Sequence, residues 1–292
     1  MYESKLKILY STCFFFVIYV TLVYNLQYIA EVILLDESPL IEWDSITVTA
    51  AKFAIIGLTS FICTFAFIKW QGIKLESLAL KLEVQKISIY IVVGAILGIS
   101  ALLSTVAIEI IGDIARERGA KLDSNELALL VAFQLFFVGP GEELIFRGYI
   151  QGEAEKIYRP FEAILFSACA FGLIHVLFFV SINPESAAII FVSSAIAGIG
   201  FGYARQVSGN LAYPIALHGF WNAFAFIMQI EYVWGYDPKE VGFIEFIIES
   251  VATMTGIGLI ILITFLLARY THVFEDTKPF TPPNSAPVHI QD

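Results

Sequence analysis

Glu142 and Glu143 stand side by side, with Arg147 one helical turn on, inside the otherwise apolar run LALLVAFQLFFVGPGEELIFRGYIQGE at 127–153. A charged side chain near the centre of a bilayer costs roughly 2.5–3.5 kcal/mol. Three in one such run must therefore face each other, water or polar groups on neighbouring helices. Glu143 and Arg147 are four apart, the spacing of a helical ion pair, which leaves the Glu142 carboxylate without a partner of its own. Two of the four histidines also stand in apolar runs: His175 in FGLIHVLFF and His218 in LAYPIALHGFWNAF, with Asn222 four residues after His218. A carboxylate, two imidazoles and an amide can take a proton from water and stabilise charge growing on a carbonyl oxygen. His218 and Asn222 share one helical face, as do Phe171 and His175. None of these faces meets lipid cheaply, so the three must converge.

The elements that carry these residues follow from composition. The 292 residues are 58% hydrophobic and 15% charged, with mean hydropathy +0.78. Repeated long uncharged runs predict an all-α polytopic membrane protein of about eight spans, because a helix satisfies its own backbone in lipid. Ten-residue alternating segments, the mark of a barrel, do not occur. The spans are expected near 8–30, 48–68, 87–108, 127–153, 162–182, 186–204, 211–230 and 244–268. The polar cavity is expected among the fourth, fifth and seventh. The first run is too long for a signal-peptide core and has no small-x-small cleavage pattern. Residues 1–270 read as one transmembrane domain, with its chemistry in about 127–230, and 271–292 as a disordered tail.

Several local features refine this plan. Gly139-Pro140-Gly141 should interrupt regular helix just before Glu142, because Pro140 lacks an N–H and crowds the preceding turn. GIKLESLALKLEVQK at 72–86 places Leu75, Leu78 and Leu82 at helical spacing, predicting a short interfacial helix. Residues 109–126 mix acids with Arg116, Arg118 and Lys121 and predict a surface segment. Gly198, Gly200 and Gly202 predict a strip for close helix contact. Cys13, Cys63 and Cys169 have no metal-ligand spacing and read as buried small side chains. The net charge of −10 and the lack of a Lys/Arg cluster argue against nucleic-acid binding. Under eight spans, the loops on the side of the termini carry 11 Lys/Arg and the others four. That imbalance places both termini in the cytoplasm; size and economy alone suggest a prokaryotic plasma membrane.

In order, EELIFR at 142–147, FGLIH at 171–175 and HGFWN at 218–222 resemble the three motifs of the type II CAAX prenyl endopeptidases. These form the Ras-converting endopeptidase branch of the ABI/CPBP intramembrane protease family. The resemblance covers about 127–230; the first three spans carry no family signature. It implies removal of a C-terminal tripeptide from a prenylated CAAX-type protein, with the prenylated peptide and membrane lipids as partners. It also implies the roles. Glu142 acts as general base on a water, His175 orients that water, and His218 and Asn222 stabilise the oxyanion. Glu143, Arg147 and Phe171 support them. This mechanism needs no cofactor.

Two alternatives stay open within the family. Glu142, His175 and His218 could be three ligands of a catalytic zinc with an open fourth position, although no H-E-x-x-H motif is present. The scaffold could also serve as a non-proteolytic immunity or partner-binding protein. A proton-coupled transporter, a third class, predicts paired broken helices in inverted repeats, and only the fourth span shows such an interruption. By sequence depth, Glu142 and His218 lie roughly 10–17 Å from one membrane face at 1.5 Å per residue. His175 is expected nearer the opposite end of its span.

Overall fold

The computed structural model describes residues 2–35, 45–80, 84–111, 116–117, 122–177, 184–228, 230–231, 243–271 and 273–274. Its architecture is all-helical. The long helices are α1 (Tyr2–Leu35), α2 (Ser45–Gln71), α3 (Val84–Ile111), α4 (Ser124–Ala154), α5 (Pro160–Leu177), α6 (Pro184–Ser208), α7 (Ala212–Met228) and α8 (Phe243–Tyr270). Six of them, α1 to α5 and α8, contain stretches long and apolar enough to cross a membrane, so this is an integral membrane protein. The shorter α7, at 17 residues, is about 26 Å long. A two-residue antiparallel pairing joins Arg116–Glu117 to Ile230–Glu231, in the links that follow α3 and α7. The acidic segment 36–44, Leu82, Arg118, Lys121, Asn183, His272, His289 and the tail from 275 onward lie outside the described residues.

Local signals in the chain fix where the site-bearing helices begin. Asp123 caps α4: its carboxylate accepts from the N–H groups of Asn125 (2.7 Å) and Glu126 (2.9 Å), while Glu126 accepts from Asp123 N (2.8 Å). This reciprocal box satisfies donors that a helix start leaves open. Pro160 opens α5, where its missing N–H costs nothing, and Glu162 reaches back to Arg159 N. Between α6 and α7 the chain turns through Gly209 at φ +60°, a left-handed conformation that glycine adopts without penalty. Asn210 then accepts from Ala212 N at 2.9 Å and starts α7.

Two apolar clusters divide the bundle. One joins α1 and α2 to the second half of α4 and to α5, through Phe15, Tyr19, Phe67, Phe146, Tyr149 and Phe171. The other joins α3, α6, α7 and α8, through Leu97, Leu102, Phe201, Leu217, Trp221 and Ile257. Large apolar side chains such as Tyr10, Ile62, Trp70 and Leu262 remain exposed on the outside, as on helices that face lipid. Because lipid is as apolar as these side chains, cohesion comes from close packing and interhelical hydrogen bonds. A ladder of such bonds ties α4 to α6. Arg147 donates to Gly198 O and Gln151 to Gly202 O, each at 3.2 Å, and Arg205 pairs with Glu155. A Cβ at Gly198 would lie 2.9 Å from Ala168 Cα on α5 and 3.2 Å from the Arg147 guanidinium on α4, and one at Gly202 would lie 3.0 Å from the Gln151 amide oxygen. These glycines therefore permit the approach.

Several expectations are corrected. The three glycines do not form one strip: Gly200 is packed against Ile257 of α8, because a two-residue step turns the helix by about 200°. Helix is not lost at Gly139-Pro140-Gly141. It widens into π-helical turns at Gln134–Val138 and Leu144–Ile150 on either side. Gly139 N bonds to Gln134 O, five residues back, and the wider turn accommodates the proline ring. Of the interfacial helix expected over 72–86, the described residues before α3 form one 3-10 turn, Leu75–Leu78, with Leu78 buried and Leu75 exposed. Ala79 O accepts from Leu211 N at 3.0 Å, so this turn is tied to the start of α7. α3 continues past 108, and Glu109 is buried rather than on a surface segment. Of the cysteines only Cys63 is buried; Cys13 and Cys169 are exposed.

The glycines around Pro140 set the position of Glu142 by contact. A Cβ at Gly141 would lie 2.9 Å from Gly57 Cα and 3.1 Å from Ser60 Cβ, both on α2. One at Gly139 would lie 3.0 Å from Gly219 Cα on α7. Gly141→Ala is therefore expected to destabilise the protein by about 1–3 kcal/mol, since backbone must move to admit the methyl group. Thermal unfolding in detergent checks this, with Gly258→Ala as control, because a Cβ there meets nothing within 4 Å.

Candidate active site

α4 delivers Gln134, Glu142, Glu143 and Arg147 to the seam between the two clusters. α5 delivers Phe171 and His175, and α7 delivers His218 and Asn222. All are buried except Asn222, which is half-buried. The Glu143–Arg147 pair expected from the spacing forms at 2.8 Å, with neither side chain exposed. The same carboxylate oxygen, Oε1, accepts from His218 Nδ1 at 2.8 Å. Glu143 Oε2 has no hydrogen-bond partner among the described residues.

That shared oxygen fixes the tautomer of His218. A carboxylate paired with Arg147 only accepts, so the Nδ1–H donates to it, and Nε2 is directed toward Glu142. Nε2 and Glu142 Oε2 are 3.7 Å apart, too far for a direct hydrogen bond. That separation is one a single water hydrogen-bonded to both atoms can bridge. With Nδ1–H committed to Glu143, His218 accepts through Nε2 when neutral and donates through it when protonated. His175 is fixed in the same way: its Nδ1 meets Phe171 O at 2.7 Å. A carbonyl oxygen cannot donate, so the proton is on Nδ1, and Nε2 of the neutral ring is an acceptor.

Phe171 joins the parts. Its ring centroid is 4.4 Å from that of His175 and 5.7 Å from that of His218, and the Arg147 guanidinium lies 4.4 Å from its centroid. Phe201 of α6 stacks on His218 at 4.8 Å, with the planes 15° apart. Arg147 is thus held between a carboxylate, the Gly198 carbonyl and the rings of Phe171, Phe201 and Phe146, whose centroids lie 4.4, 5.3 and 5.9 Å from it, an arrangement that compensates part of the cost of burying a guanidinium. His175, in the last turn of α5, reaches the cluster through Phe171.

Two contributors escape a reading of the motifs. Gln134, eight residues before Glu142, accepts from Asn222 Nδ2 at 3.0 Å through its Oε1 and so fixes which end of the Asn222 amide points where. Its signal in the sequence is that it is the lone polar residue in the first half of an apolar run, one of the features that marks a membrane position with a task. Phe201 carries no such signal, since an aromatic residue in a span is unremarkable in sequence.

The zinc alternative requires three ligands around one point. Glu142 and His218 approach each other, and His175, with Nδ1–H on Phe171 O, presents its lone pair at Nε2. Among the described residues no three His, Cys, Asp or Glu side chains are grouped as a metal site requires. As placed, these donors do not form the three-ligand set, and no step below is routed through a metal.

Residues 124–224 match the model of a protein family described as Rce1-like, type II CAAX prenyl endopeptidase. The match starts with α4 and ends inside α7, so it contains Gln134, the Glu142–Arg147 segment, Phe171, His175, His218 and Asn222, and leaves α1 to α3 and α8 outside. No curated protein matches the chain.

Proposed function

Starting from a helical core similar to the Rce1-like type II CAAX prenyl endopeptidases, we propose that this protein is an intramembrane endopeptidase. In this reading it removes the C-terminal tripeptide of prenylated CAAX-type substrates by glutamate-activated hydrolysis. The observation that carries the reading is the gap between Glu142 Oε2 and His218 Nε2, 3.7 Å across, with the half-buried Asn222 one turn from His218 on the same helix. A water held there has a carboxylate beside it to take its proton and donors nearby for the oxyanion.

The hydrogen bonds already described support the following steps. Glu142 takes one proton from the water, and the water oxygen adds to the scissile carbonyl carbon. His175, an acceptor at Nε2, holds the second water proton in line. The oxyanion is met by the Asn222 Nδ2 hydrogen not spent on Gln134, and by His218 Nε2 when that ring carries its second proton. The C–N bond then breaks, and Glu142 returns its proton to the leaving amine. Glu143 and Arg147 touch no reacting atom; they hold His218 in its tautomer and orientation.

Gln134 is a positioning residue in this scheme. Gln134→Leu is expected to lower kcat roughly tenfold with KM little changed, because Asn222 loses the partner that aims it. Gln134→Glu, which keeps the acceptor oxygen, retains more activity than Gln134→Leu if the role is positioning.

The decisive experiment incubates purified protein with a farnesylated peptide ending in a CAAX sequence and follows tripeptide release by mass spectrometry. Release that persists in strong chelators is the expected result. Loss under chelation restored only by zinc would replace the water-and-glutamate scheme. No release from any prenylated peptide would reject the assignment in favour of a non-proteolytic role on the same scaffold. Topology adds a further expectation: both termini face the cytoplasm, which cysteine-accessibility labelling of the tail checks.

A further inference from the structure

Tyr19 of α1 carries a phenol hydroxyl into the apolar cluster formed with α2 and α4, where the side chain is only 1% exposed. There it meets Ser60 Oγ of α2 at 3.1 Å, and Ser60 is itself wholly buried. A buried hydroxyl needs such a partner, and that need alone would account for a bond. The direction of this one, and its place, carry more.

Direction follows from counting hydrogens. Ser60 Oγ lies 2.6 Å from Ile56 O, one turn back on α2, and a carbonyl only accepts, so the serine hydrogen is spent there. The hydrogen between Tyr19 and Ser60 is therefore the phenol's own. Tyr19 Oη, with that hydrogen committed, can only accept from a third group. Its place puts the pair behind the site. A Cβ at Gly141 would lie 3.2 Å from Ser60 Oγ, and Glu142 is the next residue in the chain. Of the charges around the Tyr19 hydroxyl, that of Glu142 acts on it most strongly. An accept-only oxygen offers nothing to an ionised carboxylate, yet it is a partner for a carboxylic acid.

We propose that Tyr19, aimed by Ser60, is a positioning residue that accepts the hydrogen of Glu142 while that side chain carries the proton taken from water. The source of the proton rests on the hydrolase reading; the contact between phenol and carboxyl does not. In that scheme the acid form exists only between attack on the carbonyl and return of the proton to the leaving amine. An interaction made then, and absent from the resting carboxylate, speeds the reaction rather than tightening binding. Without it, an acid O–H among apolar helices carries the cost of an unmade hydrogen bond. Both residues stand on helices outside the family-matched segment 124–224.

Variants of the full-length protein in detergent, each lacking a single oxygen, test this. Tyr19→Phe is expected to lower kcat roughly tenfold at unchanged KM. Ser60→Ala frees the phenol hydrogen to turn onto the Glu142 carboxylate and is expected to slow turnover similarly. The two losses should not multiply in the double variant, because they act through one bond. Tyr149→Phe is the control: that phenol is equally buried and donates to Gln71 at 3.1 Å, and its loss should leave kcat unchanged. A second readout needs no substrate. In acid-minus-neutral infrared difference spectra, the carboxyl C=O band that Glu142→Gln removes reports the hydrogen bonding of the Glu142 acid. It is expected to move to higher wavenumber in Tyr19→Phe and to stay in place in Tyr149→Phe. A band that Tyr19→Phe leaves in place overturns the contact, and kcat losses that multiply overturn the pair as a unit. A moved band with parental kcat overturns its part in turnover. A moved band in a protein whose parent cleaves no prenylated peptide keeps the contact and removes the hydrolase reading instead. Should Tyr19→Phe fail to fold, parental kcat in Ser60→Ala overturns the proposal by itself.

Discussion

Glu142→Gln is expected to abolish tripeptide release, lowering kcat by about 10²–10⁴-fold, the range that a positioned general base contributes. The substitution keeps the volume and the hydrogen-bonding capacity of a side chain only 5% exposed, so folding should survive. The neighbouring Glu143 still accepts from His218 Nδ1 and pairs with Arg147, which leaves the tautomer of His218 intact. What is lost is the oxygen, 3.7 Å from His218 Nε2, that takes the water proton in the proposed scheme. Release assays with the farnesylated peptide, alongside thermal unfolding of both proteins, decide the matter. Equal turnover by parent and variant would remove Glu142 from the mechanism.

The second large effect is on stability. Arg147→Met is expected to cost about 3–5 kcal/mol, because removing one partner of a buried ion pair leaves the other charge uncompensated. Both Arg147 and Glu143 are 0% exposed, and the guanidinium also supports the Gly198 carbonyl and the Phe171 ring. Replacing both partners, Glu143→Gln with Arg147→Met, should recover more than half of that loss. No unpaired charge then remains, and the amide oxygen introduced by Glu143→Gln can still accept from His218. Additive losses in the double variant, measured by unfolding in mixed micelles, would show that the pair is not the unit of stability. The cycle also separates positioning from chemistry: the double variant is expected to fold and to bind substrate while turning over slowly.

The candidate residues are legible in the chain because a bilayer makes polar side chains conspicuous. Glu142, His175, His218 and Asn222 stand out in runs that otherwise contain little to titrate, and the four-residue spacing of Glu143 and Arg147 suffices to pair them. Helix type and approximate bounds follow from the same cause, since apolar runs of this length admit only helices. Glu109 escapes such a reading because a single acid at a span's end looks the same whether the helix stops before it or carries it into the bundle.

By itself, the sequence determined that the chain is helical and membrane-embedded, which residues are candidates for chemistry, and that their faces must meet. Only the tertiary structure decided how they meet. Arg147 and His218 share one oxygen of Glu143, Gln134 aims Asn222, and Thr105 of α3 bonds across to Ala252 of α8 beside His218. These are contacts between residues as many as 147 positions apart, as Thr105 and Ala252 are. Periodicity says which way a side chain leaves its own helix. It carries no information on which carbonyl, ring or glycine of another helix stands opposite, and that is set by how closely Gly57, Gly141 and Gly219 let three backbones approach.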